Sequence, residues 1–173
     1  MTPNQQKRYE KWLQSCLEYD WWGSIEEWFI EDCKPKGVRV HDIVFNERTA
    51  GFDGRVDLAI MMEQLKLHDQ YPALYLAVKE DGSYANCTIS HRGTQRIELI
   101  ECWSNQTTPS GVFEMLDEDT WEALVLAQMQ EADLESAATE FVKDLCHELF
   151  SALQSEQEYL TSEENFLEMG EVA

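Results

Sequence analysis

Negative charge is spread so unevenly along this chain that any fold it adopts must carry one strongly acidic face. Residues 101–173 hold eighteen Asp and Glu against a single basic residue, Lys143, a net charge of −17. Residues 1–100 hold sixteen acidic and twelve basic residues, a net of −4. An asymmetry of this size predicts a basic partner, or a surface that stands in for nucleic acid. It names no reaction.

At 173 residues the chain is long enough for one domain with a sizeable core. Six Trp, seven Phe and six Tyr set it apart from disordered acidic chains, which are poor in aromatics. No run approaches the eighteen apolar residues of a membrane span. The opening MTPNQQKRYEKW lacks the apolar stretch of a secretory signal. Cys16, Cys33, Cys87, Cys102 and Cys146 are odd in number and form no CxxC pair, which predicts reduced thiols in a cytoplasm. The excess negative charge argues against direct contact with DNA, RNA or anionic lipid, because each requires cations to displace counterions.

Thr2, Pro3 and Gln5 predict a capping box and first helical turn, followed by a stripe of Tyr9, Trp12, Leu13, Cys16 and Leu17. Gly23 breaks that pattern, and Ser24 with Glu27 predicts a second capping box ahead of Ile25, Trp28, Phe29 and Cys33. Lys34-Pro35-Lys36-Gly37 ends this helix. Val38, Val40, Ile43, Val44 and Phe45 predict a strand, Glu47 to Arg55 an irregular loop, and Leu58 to His68 a short helix. Residues 72–90 read as two strands joined at Asp81-Gly82, and residues 96–103 as a third. Residues 104–112 form the best linker candidate. Beyond it, Asp119 and Glu122 frame a capping box before Trp121, Leu124, Val125 and Met129. Leu134, Ala138, Phe141, Leu145, Leu149 and Leu153 then continue a stripe through a longer helix, and Thr161 with Glu164 caps a last turn. These elements predict an α+β fold: a small antiparallel sheet of three or four strands packed against N-terminal and C-terminal helices. The whole chain forms one domain, with residues 1–103 holding helices and sheet and residues 113–168 its acidic helical part.

Glu140, Asp144 and Glu148 recur every four residues, with Lys143 and His147 beside them. Like charges at that spacing cost roughly 0.2–0.5 kcal/mol per pair, which points to a role besides helix stability, the alternative being a plain solvated helix face. With Asp117, Glu118, Asp119 and Glu122 they are the candidate partner-binding residues. One such stripe offers a carboxylate every ~6 Å, against a duplex DNA charge every ~1.7 Å. A helix over residues 133–158 would span about 39 Å, along which DNA holds roughly 23 charges. The −17 of the segment approaches that figure only if the segment folds back along the helix.

His41, His68, His91 and His147 show no metal-ligand spacing, and Ser151 stands where the second His of an HExxH would be. Asp53 and Asp57, in GFDGRVD, could serve a divalent-metal enzyme, but the alternating acids of an EF-hand are missing. No GxSxG, P-loop or GxGxxG occurs. No cofactor and no metal is therefore expected. The adjacent Trp21 and Trp22 read as anchors of a core.

Glu18-Tyr19-Asp20-Trp21-Trp22-Gly23-Ser24 resembles the YEWWD segment of a group of uncharacterised proteins from tailed phages and prophages. Gly51-Phe52-Asp53-Gly54-Arg55-Val56-Asp57-Leu58 is similar to that group's GDGA-type loop, keeping Asp53-Gly54 but departing from QGDGAS. Tyr71-Pro72-Ala73-Leu74-Tyr75 and Glu158-Tyr159-Leu160-Thr161-Ser162-Glu163-Glu164 also look like the group. The resemblance implies a phage product in a bacterial host cytoplasm and supplies no activity. Joined to the charge pattern, it predicts a non-catalytic protein that inhibits a host defence or DNA-processing enzyme through an acidic helical face, with DNA mimicry by that face left open. The alternatives are an antitoxin-like neutraliser of a basic toxin and a divalent-metal-dependent enzyme using the Asp53/Asp57 loop. The oligomeric state stays open, a homodimer included.

Overall fold

The computed structural model describes residues 1–16, 18, 21–90, 92–100 and 118–171, with the side chains of residues 73, 77, 80, 81, 118–132, 170 and 171 outside the description. The expected linker 104–112 lies outside the described residues.

Helix α1 (Pro3–Cys16) begins with the expected box: the Thr2 amide donates to Gln5 Oε1 at 2.8 Å and the Gln5 amide to Thr2 Oγ1 at 3.3 Å. Helix α2 (Gly23–Cys33) starts one residue before Ser24, with Trp22 at its N-cap and no side-chain cap, so the Ser24–Glu27 box does not form. A 3₁₀ turn at Lys34–Lys36 follows and Gly37 closes it at φ +77°, the left-handed conformation that glycine adopts freely.

Strand β1 (Val38–Phe45) pairs antiparallel with β2 (Ala50–Asp57), which replaces the expected loop. Two glycines and two aspartates hide β2 from propensity. The glycines are required by its crowding: a Cβ on Gly54 would lie 2.2 Å from the Arg39 carbonyl oxygen. The expected helix over 58–68 is two, α3 (Leu58–Gln64) and α4 (Leu67–Gln70), broken where Lys66 turns left-handed at φ +57°. Residues 72–81 form helix α5 (Pro72–Asp81) in place of the expected strand. Its buried residues Leu74 and Val78 are four apart, a helical spacing, and Gly82 at φ +62° caps the helix instead of turning a hairpin. Strands β3 (Tyr84–Ile89) and β4 (Gln95–Ile100) complete a four-stranded antiparallel sheet in the order β1-β2-β3-β4.

Helix α6 (Glu118–Leu160) is one element of 43 residues, about 64 Å long, where a cap at Asp119 and a separate longer helix are expected. Asp119 falls within its backbone, so it does not occupy the cap position. Leu134, Ala138, Val142, Leu145, Leu149 and Leu153 are buried along it and pack with Phe29, Phe52, Val56, Met61 and Met62. Phe141 sits at the edge of this stripe, half-buried, and Val142 takes the inward place. Helix α7 (Glu163–Glu171) is capped by Ser162, whose Oγ accepts from the Asn165 amide at 3.1 Å. Thr161 Oγ1 instead bonds back to the Gln157 carbonyl. Tyr9, Trp12 and Phe166 stack together and hold α1 against α7. The fold is therefore α+β, with helices from both ends of the chain and a four-stranded sheet.

Candidate partner-binding face

The inward stripe of α6 determines what its opposite side can carry. With Leu134, Ala138, Val142, Leu145, Leu149 and Leu153 buried, the helical repeat of about 100° per residue turns Glu140 and Asp144 straight to solvent. Asp133 and Glu158 fall on the same line, and Glu148 flanks it; all five are exposed. Asp133 and Glu158 were not among the expected site residues, and their offsets of −7 from Glu140 and +14 from Asp144 were the available signal. The side chains of Glu118, Asp119 and Glu122 and the whole of Asp117 lie outside the described residues.

Positive charge enters this face at two points. Lys143 Nζ lies 3.9 Å from Glu140, with both side chains about seven-tenths exposed, a pair worth little in water. Lys36 Nζ is 2.6 Å from Asp32 and 3.6 Å from Glu148, and so ties the end of α2 to α6. Burial opposes its charge, but the Asp32 hydrogen bond and the Glu148 and Asp32 charges outweigh burial and raise its pKa. In the sequence, Lys36 reads only as part of a helix stop. On α2 itself, Glu27 and Glu31 are also exposed.

Spacing limits what the surface imitates. Four aligned carboxylates and the flanking Glu148 over about 39 Å compare with roughly 23 charges on the same length of duplex DNA. The described ridge is too sparse to reproduce the phosphate backbone. It can still attract a basic surface and raise the rate of encounter.

The other expected candidates are structural. Asp53 Oδ1 accepts from the Ile89 amide at 2.8 Å, tying β2 to β3, and Asp57 Oδ1 accepts from the Ile60 amide at 3.0 Å, capping α3. Four residue steps along the strand separate them by about 13 Å, too far to share one metal ion. Among the described residues no three His, Cys, Asp or Glu stand where they could hold a metal. His41 and His147 are exposed, His68 contacts Asp69, and His91 lies outside the description. Trp21 packs edge-on against Phe45 and Trp22 against Trp21, both half-buried on the core, as adjacent anchors should.

Cys16, Cys33, Cys87 and Cys146 are free thiols, and Cys102 lies outside the description. Burial pushes Cys33 and Cys87 up to about 12 and Cys146 up to about 11, so none is poised as a thiolate nucleophile. Among the described residues no helix is long and apolar enough to cross a membrane.

Comparison of the chain with protein-family models, with curated proteins and with solved structures found no match.

Proposed function

We propose that this protein is a non-catalytic acidic binding protein that docks on the basic surface of a host protein and inhibits it. The target class is a defence or DNA-processing enzyme of a bacterial host cell, with the protein acting as a phage product in the host cytoplasm. The observation that carries this reading is the solvent-facing line of Asp133, Glu140, Asp144 and Glu158 on α6, flanked by Glu148. A nucleic-acid-binding groove supplies the complementary charge, and long-range attraction makes association fast and salt-sensitive. Carboxylates of this surface do not bind nucleic acid directly. The test is capture of partners from bacterial lysate at low and high salt, with wild type beside a variant carrying Glu140→Lys, Asp144→Lys and Glu148→Lys. A partner held at low salt by wild type and released by the variant supports the reading; equal capture by both overturns it.

A second reading, neutralisation of a basic toxin, draws on Tyr159, Leu167 and Met169, large apolar residues exposed near the C-terminal end of α6 and on α7. A toxin complex would bury these as well as charge, so its capture would persist at high salt.

A further inference from the structure

A cavity of about 400 Å³ opens where the end of α2, the 3₁₀ turn, the edge of β1 and the start of α3 meet. That volume lies in the lower range of small-ligand sites. Ile30, Val40 and Ile60 give it apolar walls, and Lys34, Arg39 and Asp57 its charged groups. We propose that this cavity binds a small aliphatic carboxylate, its anionic end paired with Arg39 and its alkyl body against Ile30, Val40 and Ile60.

Arg39 carries the argument. It stands directly opposite Arg55 in the β1–β2 register, an arrangement of like charges that destabilises a sheet. Arg55 is drawn over the Tyr84 ring, 4.6 Å from its centroid, and among the described residues no carboxylate forms an ion pair with Arg39. Carboxylates are abundant in this chain, 34 against 13 basic residues, yet the ion pairs among the described residues all use Lys or His and none uses Arg. Arginine's planar fork is the better partner for a carboxylate, and Arg39 is the arginine that lines the cavity, so a ligand's carboxylate finds its partner there.

The main chain adds donors. The Asp57 amide donates to the Gly37 carbonyl at 2.8 Å, and ladder alternation then turns the backbone groups of Val38 and Val40 away from β2, along the cavity edge. Lys34 is already engaged by Glu31 and contributes field at the rim. Asp57 decides the class of anion. Asp57 lines the same cavity, and its carboxylate, which accepts from the Ile60 amide, repels a dianion more than a monoanion, which favours a carboxylate over a phosphate.

The test is a titration of the full chain with sodium isovalerate, read by amide ¹H–¹⁵N shifts, beside neutral isovaleramide, inorganic phosphate and sodium chloride. Saturable shifts at Gly37, Val38 and Val40 are expected with isovalerate. Binding should weaken about tenfold or more for isovaleramide and for Arg39→Gln, the loss of one charge-assisted contact. No saturable shift at these amides, equal binding of acid and amide, or tighter binding of phosphate would each overturn the assignment. The acid-against-amide comparison needs no variant, and Arg39 is exposed, so Arg39→Gln should leave the remaining spectrum in place.

Discussion

Gly54 shows how closely β1 and β2 approach. A methyl group there would lie 2.2 Å from backbone that is itself held in the sheet, with no flexible neighbour to give way. Gly54→Ala should therefore cost about 2 kcal/mol or more, read as a lower denaturant midpoint at unchanged slope. The thiols make a second residue-level prediction. Cys33 and Cys87 are buried with their pKa values raised to about 12, so the folded chain keeps protons that the unfolded chain loses near the ordinary thiol value. Their contribution to stability is full below that ordinary value and declines as pH rises through it towards 12. The denaturant midpoint should fall between about pH 8 and about pH 10.5. An unchanged or higher midpoint would contradict the burial argument. Native thiol labelling should leave both cysteines unmodified, while denatured, non-reduced protein should show five free thiols.

At the scale of elements, α1 depends on few contacts. Its aromatic residues Tyr9 and Trp12 meet Phe166 of α7, and the Tyr9 hydroxyl donates to the Thr161 carbonyl. Phe166→Ala should release α1 from α7, seen as faster amide exchange in residues 3–16 and 163–169 with the sheet amides still protected. Much of this architecture was legible: the Thr2–Gln5 box, the Lys34–Gly37 stop, β1 and the α6 stripe all follow from spacing and capping chemistry. The errors have physical causes. Residues 50–57 are a strand because neighbours on both sides complete their ladder, which outweighs the poor propensity of Gly51, Asp53 and Gly54. Residues 72–81 contain apolar residues both at alternating and at fourth positions, and Asp81-Gly82 reads equally as a hairpin turn or a helix end, which masks the Leu74–Val78 spacing that decides for a helix. On the candidate face, Glu140, Asp144 and Glu148 were legible as a stripe. The Lys36 link to α2 was not, because it depends on how two helices distant in sequence pack together.

At the scale of the molecule, charge is the dominant property. A net charge of −21 repels itself in the compact state, and salt screens that repulsion. Thermal stability should rise when ionic strength is increased from low to physiological, and a fall would mean that the few ion pairs matter more than the excess charge. The same screening should act oppositely on partner binding, since attraction to a basic surface is lost as salt rises. The most direct measurement is the salt dependence of affinity for the captured partner, for wild type and for the Glu140→Lys, Asp144→Lys, Glu148→Lys variant, with Glu98→Lys on β4 as an exposed control. Wild type and the Glu98 control should bind tightly at low salt and weaken steeply as salt increases. The triple variant should bind more weakly at low salt and show a shallower slope, with unchanged circular dichroism. A triple variant that retains the wild-type affinity and slope would contradict the claim that the α6 ridge is the binding surface.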